Sequence, residues 1–237
     1  MREYYDLNAG AVDEAKKSLL ERLGWNAAGA TGGDFSGSAL RLVRTAIVSE
    51  NPRKNARKAL EKSEIIIASG DSDEFYREAS ECVEVDLIQD PELMSKNDAV
   101  DYPSSGLDGI IAKSMSLNNI GYAINYRNVL ESRGMKRAQI LWRIRYNVML
   151  CTKYGVNIVT ASCATDKMQL RAPLELASIG CLLGLDRSGW VKTVSDNPAN
   201  VLCKAADRDN PDVITKGLKV VEWGGYERKA SGKCGWY

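Results

Sequence analysis

Nine Lys or Arg residues fall between Tyr126 and Arg171: Arg127, Arg133, Lys136, Arg137, Arg143, Arg145, Lys153, Lys167 and Arg171. Glu131 and Asp166 are the only acids among them, so the segment carries a balance of +7 in a chain whose formal net charge is +1. The chemistry open to such a stretch is electrostatic. Ammonium and guanidinium groups neutralise phosphates and release condensed counter-ions, and Arg adds bidentate hydrogen bonds and stacking on bases. A concentrated field of one sign is the footprint of a polyanion partner. The two halves repeat the asymmetry: residues 1–118 hold 14 Lys/Arg and 21 Asp/Glu, residues 119–237 hold 18 and 10. Such a swing marks one polyanion-facing surface or one acidic surface facing a basic partner.

Other chemistries lack their residues. The chain contains no histidine, which removes His-dependent triads, the HExxH zinc motif and imidazole acid–base catalysis. An all-carboxylate Mg²⁺ site remains open. The six cysteines, Cys82, Cys151, Cys163, Cys181, Cys203 and Cys234, form no CxxC pair. They read as reduced thiols, most of them in apolar surroundings, not as a zinc site or a disulfide framework. The glycine-rich run 29–37 lacks the GK[ST] of a phosphate-binding loop and does not match GxGxxG, so it reads as a flexible insertion. One alternative to a polyanion-facing role is a β/α-barrel enzyme acting on a small phosphorylated metabolite. Arg171 would hold the phosphate, and Asp6 or Asp86 at a strand end would serve as acid/base or Mg²⁺ ligand. A further reading leaves the basic segment as the solvated face of a purely structural protein.

The elements that must position these groups alternate along the chain. Short β-rich runs at 4–7, 43–48, 65–68, 83–87, 121–125, 158–161 and 190–193 are separated by helical patterns near 12–23, 52–62, 72–80, 107–118, 134–154, 172–183 and 198–206. Pro52 and Pro198 stand at helix starts, Gly24 and Gly184 at stops. Strand–helix alternation of this kind predicts an α/β protein of parallel β/α units, and their number favours a closed barrel over an open sheet. The expected organisation is one barrel domain over 1–206, interrupted by loop insertions at 29–37 and 98–106, with a C-terminal extension over 207–237. No window approaches the roughly 20 apolar residues of a membrane helix, and the first residues lack a signal-peptide core. A cytoplasmic protein with no membrane partner is expected.

The pattern over 134–154 is apolar on two sides. Ile140, Leu141, Ile144, Val148 and Cys151 share a stripe that should face the barrel core, while Trp142, Tyr146 and Met149 form a second stripe nearly opposite. Arg145 and Lys153 flank the second stripe; Arg143 and Lys136 lie on the other flank. The second stripe is either covered by a loop of this chain or docks a partner protein, since aromatic and Arg anchors are typical of interface hot spots. After the next strand, Lys167 and Arg171 sit where β/α folds concentrate ligand contacts. Arg171 either shares its site with a phosphate or carboxylate, or pairs with Glu175.

The run RAQILWRIRYNVMLCTKYGVNIVTASCATDKMQLRAPLELASIGCLLGL, from Arg137 to Leu185, resembles ribonuclease P protein component 3, the thirty-kilodalton-class subunit of archaeal and eukaryotic RNase P. The later SDNPANVL, Ser195 to Leu202, resembles that family's Ser-x-Asn-Pro-x-x-Val/Ile-Leu ending, and the opening Tyr4-Tyr5-Asp6-Leu7 is compatible. The chain departs from the pattern at Ala161-Ser162-Cys163-Ala164, where Ser-Ser-Gly-Ala is usual, and at Glu175, where Asp is expected.

The resemblance implies a distorted TIM-like β/α barrel related to phosphoesterase barrels with His-rich sites. It implies a protein subunit of RNase P, whose RNA removes the 5′ leader of precursor tRNA with Mg²⁺ held through the RNA. No catalytic residue, metal ligand or protein-bound cofactor is then expected in this chain. The implied partners are the RNase P RNA, precursor tRNA indirectly, a small ferredoxin-like subunit (component 2) and other RNase P protein subunits. On this reading Arg133, Lys136, Arg137, Arg143, Lys167 and Arg171 face RNA. Trp142, Arg145, Tyr146, Met149 and Lys153 face the partner protein.

Overall fold

Seven parallel strands lie side by side in chain order around a nearly closed sheet: β1 (Tyr5–Asp6), β2 (Ala27–Ala30), β3 (Arg41–Val48), β4 (Ile65–Ala68), β5 (Leu87–Gln89), β6 (Gly121–Asn125) and β7 (Ile158–Ala161). The architecture, seen in a computed structural model that describes residues 2–33, 40–94, 97–215, 218–222 and 224, is a single α/β domain built as a distorted β/α barrel. The distortion lies at the seam. The Tyr5 N–H donates to the Val194 carbonyl at 2.8 Å and the Thr160 N–H to the Thr193 carbonyl at 3.0 Å. Two residues of irregular backbone thus stand between β1 and β7, where a regular barrel has an eighth strand.

Three sequence expectations change here. Residues 190–193 are not a strand but the end of helix α9 (Arg187–Lys192) and its cap. Asp186 accepts the Gly189 N–H at 2.9 Å and starts a helix that overrides the β preference of Trp190 and Val191. The glycine-rich run 29–37 begins inside the sheet: Gly29 and Ala30 complete β2, and Gly32–Gly33 pair with Ala11–Val12. A Cβ on Gly29 would lie 2.0 Å from the Leu7 carbonyl oxygen, so this glycine serves close strand packing and not a flexible turn. Residues 34–37 lie outside the described residues. Helix α10 (Asp196–Asp209) runs past the expected boundary at 206, because Arg208 is anchored under the barrel. An antiparallel pair, Val213–Thr215 with Leu218–Lys219, follows, and most of the rest of 207–237 lies outside the described residues.

Inside the barrel, Leu7, Val43, Ile65, Ile67, Leu87, Ala123 and Val159 meet Val201 and Leu202 of α10, which closes the N-terminal ends of the strands. Outward-facing Ile66, Ile88, Tyr122 and Ile124 pack against α3 (Asp73–Glu81), α4 (Gly109–Leu117) and α6 (Gly134–Tyr154). Caps fix the helix starts: Asp13 for α1 (Glu14–Leu23), Ser72 for α3 and Asp108 for α4 each accept a first-turn N–H. No helix among the described residues is long and apolar enough to cross a membrane.

Candidate nucleic-acid and protein interface

Helix α6 separates the basic segment into an inner and an outer face. Ile140, Ile144, Val148 and Cys151 are buried against the sheet, and Leu141 packs partly against the same core. On the outer face Trp142 is 41 % exposed and Met149 55 % exposed. They line an open groove with Tyr146, Arg145, Lys153 and Leu183. Among the described residues no loop covers it. Lys153 also lies over the Tyr154 ring, 5.5 Å from its centroid.

The cations divide by what they touch. Because α6 runs antiparallel to the strands, its first turn is level with their C-terminal ends. Arg133 and Lys136 are exposed there, beside α5 (Tyr126–Glu131). Lys167 is exposed in the 3₁₀ turn Lys167–Gln169, capped by Asp166. The Gln169 amide donates to the Glu131 carboxylate at 2.9 Å, docking this turn on the α5–α6 corner. The fold therefore brings Arg133, Lys136 and Lys167 to one end of the barrel. Arg137 is partly buried and caps α5, donating to the Ser132 carbonyl at 2.6 Å and the Leu130 carbonyl at 3.1 Å. Arg171 stacks over Tyr126 at 5.9 Å and donates to the Met168 and Leu170 carbonyls. The Glu175 carboxylate accepts the Ala172 N–H, and of the two alternatives for Arg171 the pairing with Glu175 is not formed.

Arg143 corrects the sequence reading. It is 5 % exposed, and its guanidinium donates to Asp98 at 2.8 Å and to the Glu92 and Met94 carbonyls at 2.9 and 3.0 Å. Residues 98–106 carry no helix or strand, yet they fold back over α6, so the side chain read as a flank is enclosed. Arg143 holds the protein together and is not offered to RNA.

The C-terminal ends of the strands carry a network of amides around Asp90. Its carboxylate accepts from Asn125 at 2.8 Å, Asn128 at 2.6 Å, Gln89 at 2.8 Å and Ser69 at 3.2 Å. Asn8 donates to Gln89 at 2.9 Å. Asp6 is fully buried and accepts from the Ser162 hydroxyl and from the Ser162 and Asn8 N–H groups. Burial pushes its carboxyl up, against the pull of these donors. Asp86 lies at the opposite, N-terminal end of the strands. There it pairs with Arg208, lies 3.5 Å from the Lys204 ammonium and accepts the Ile66 N–H. Asp86 therefore stands at the opposite end of the strands from Arg171, and the Asp6 carboxylate is turned to Ser162 and Asn8. Of the cysteines, Cys82, Cys151 and Cys163 are buried, while Cys181 and Cys203 are exposed; Cys234 lies outside the described residues.

A sequence model of the RNase P subunit p30 family matches residues 35–210. The chain belongs to the RNase P subunit p30 family. Ribonuclease P protein component 3 of Methanosarcina acetivorans is 31 % identical over 179 residues, 74 % of this chain and 71 % of that protein. Its counterpart in Methanococcus vannielii is 25 % identical over 240 residues, 94 % of this chain and 100 % of that protein. Among solved structures, a chain in the cryo-EM structure of archaeal Ribonuclease P with mature tRNA superposes with a TM-score of 0.73 at 21 % identity, covering 94 % of this chain and 100 % of that one. An amidohydrolase superposes with a TM-score of 0.54 at 10 % identity, over 87 % of this chain and 75 % of that one, a likeness of fold alone.

In this p30-family barrel the amide network has no local signature in the sequence. Asn8, Gln89, Asp90, Asn125 and Asn128 come from three separate strand ends, and no local spacing joins them. A signal was present for Arg143: it stands three residues after Ile140 and four before Asn147, both buried on the inner face.

Proposed function

We propose that this RNase P protein subunit is a non-catalytic, RNA-binding scaffold. Its exposed cations Arg133, Lys136 and Lys167, with Arg137 and Arg171 beside them, contact the phosphate backbone of the RNase P RNA. The catalytic RNA carries out removal of the 5′ leader from precursor tRNA, and Mg²⁺ is held through that RNA. The groove of Trp142, Tyr146 and Met149, flanked by Arg145 and Lys153, docks a small ferredoxin-like subunit, component 2. The observation that carries this reading is the gathering of cations from the start of α6 and from the 3₁₀ turn after β7 at one end of a barrel in a p30-family chain. Closely packed RNA phosphates repel one another, and fixed Lys and Arg offset that repulsion with a backbone-directed, salt-dependent affinity. The strand-end chemistry is consistent with the absence of a catalytic role. The Asp90 and Asp6 carboxylates are engaged by protein donors, and side-chain amides surround Asp90.

Reconstitution tests the proposal. Precursor-tRNA cleavage is measured with the RNase P RNA alone, then with this chain and component 2 added together, across Mg²⁺ concentrations. The proposal expects the proteins to lower the Mg²⁺ required and cleavage to survive Asp6→Asn. A chain that cleaves precursor tRNA without the RNA would overturn it.

A further inference from the structure

The mouth of the barrel holds a pocket of about 270 Å³ that neither the proposed RNA contacts nor the α6 groove uses. It opens at the C-terminal ends of the strands, the side on which β/α barrels collect ligands. Ile47 shares the inward face of β3 with Val43 and Thr45, yet it is 46 % exposed, so the barrel interior is open to solvent there. Arg127, on the first turn of α5, lines the pocket. Among the described residues its guanidinium makes no hydrogen bond or ion pair, whereas those of Arg137, Arg143, Arg171 and Arg208 are all engaged.

The wall around Arg127 presents donors. Gln89 Oε1 already accepts from Asn8 Nδ2 and from Cys163 Sγ, and Asn8 Oδ1 accepts the Gly10 N–H. Each amide nitrogen carries two N–H groups, of which one is engaged on Asn8 Nδ2 and one on Gln89 Nε2. The Thr31 hydroxyl lies on the rim. A second positive charge is fixed behind the wall: buried Lys16 donates to the carbonyls of Ala11 and Ala164, both lining residues, at 2.8 Å each. Among the described residues no acid lines the pocket, and the oxygens of Asp6 and Asp90, whose charges act on the lining residue Cys163, are turned to protein donors. The pocket is smaller than the roughly 300 Å³ at which drug-sized sites begin.

We propose that this pocket binds a phosphomonoester group, with the Arg127 guanidinium as its bidentate ligand. An arginine fork matches phosphate geometry, and the surrounding N–H and O–H groups take the remaining oxygens. The group could be carried by a 5′-phosphorylated nucleic-acid end or by a free phosphate ester, and the two sources are separable.

The full-length chain is titrated at low salt with inorganic phosphate and with a dinucleotide bearing either a 5′-phosphate or a 5′-hydroxyl, followed by calorimetry and ³¹P NMR. Saturable binding is expected for inorganic phosphate and for the phosphorylated dinucleotide, and not for the hydroxyl form. A preference for the phosphorylated dinucleotide over inorganic phosphate assigns the pocket to a nucleic-acid end; equal binding assigns it to the free anion. Arg127→Gln is expected to weaken binding by about tenfold or more, while Arg53→Gln, at an exposed arginine outside the pocket that pairs with Glu81, leaves it unchanged. Ile47→Trp fills the mouth and leaves every charge in place, and it should abolish binding. The absence of saturable phosphate binding, or wild-type affinity in either Arg127→Gln or Ile47→Trp, overturns the proposal.

Discussion

Nε of Arg143 donates to Oδ1 of Asp98 across 2.8 Å, and both side chains are closed off from water, at 6 % and 11 % exposure. This pair binds the middle of α6 to the segment 98–106, which otherwise has no regular structure. The same guanidinium holds the Glu92 and Met94 carbonyls, so one side chain organises two stretches of irregular backbone.

Replacing Arg143 with Met leaves Asp98 and two carbonyls short of a buried donor. Breaking one side of such a pair costs about 3–5 kcal/mol. Urea denaturation of Arg143→Met should show that loss, and Arg143→Lys should recover little of it, because an ammonium cannot reproduce the planar fork. A wild-type midpoint in Arg143→Met would return this residue to the surface.

The outer face of α6 should behave in the opposite way. Trp142→Ala and Met149→Ala remove half-exposed side chains, and each should change stability by less than about 1 kcal/mol. Association with component 2, measured by calorimetry, should weaken by about tenfold or more for Trp142→Ala, as expected of a central aromatic anchor. Unaltered association would exclude the groove as the docking face.

Glu92 sets a pH dependence. It is fully buried, and its carboxyl is pushed up to about 8, first by burial and then by Asp90, against the Tyr122 hydroxyl and Arg143. In the unfolded chain it ionises near its ordinary 4.5. Between these values the folded state keeps a proton that the unfolded state has released, so stability falls as pH rises through this window. Glu92→Gln retains an acceptor for Tyr122, whose hydroxyl lies 3.0 Å away, and removes the charge. The variant should match the parent near pH 4.5 and exceed it at pH 8 by on the order of 2 kcal/mol. Denaturation at both pH values checks this, and an advantage that does not grow with pH would contradict it.

Asp86 anchors the floor of the barrel. Its carboxylate pairs with Arg208 and Lys204, both buried on α10, and accepts the Ile66 N–H. Asp86→Asn strands two buried cations and should cost about 3–5 kcal/mol, read as a lowered melting temperature. A variant as stable as the parent would show that α10 closes the barrel through its apolar face alone.

How far the sequence carried can be seen in particular elements. Strands 65–68, 121–125 and 158–161 and helix 134–154 have the predicted bounds, because β-branched runs and a long repeat of period 3.6 are strong local signals. The strand Ala27–Ala30 was not legible: AAGA has no β-branched residue, and its reason for being a strand is the Leu7 carbonyl pressed against Gly29, which is 22 residues away in the chain. At the seam, the two residues that replace an eighth strand are set by their neighbours Tyr5 and Thr160, not by their own preference. The site divides in the same way. Exposure of Arg133, Lys136 and Lys167 follows from local charge. The enclosure of Arg143 depends on a loop 45 residues earlier, and the amide network on three strand ends that only the fold brings together.

The central claim is that cations at one end of the barrel bind RNA phosphates, and it is tested most directly by salt titration. Affinity for the RNase P RNA is measured across salt concentrations for the parent chain and for the combined Arg133→Glu, Lys136→Glu and Lys167→Glu variant. Each lost phosphate contact should reduce the slope of log affinity against log salt by about 0.7–0.9. The predicted result is weaker binding with a slope shallower by about 2–3, at unchanged thermal stability. Unchanged affinity together with an unchanged slope would contradict it.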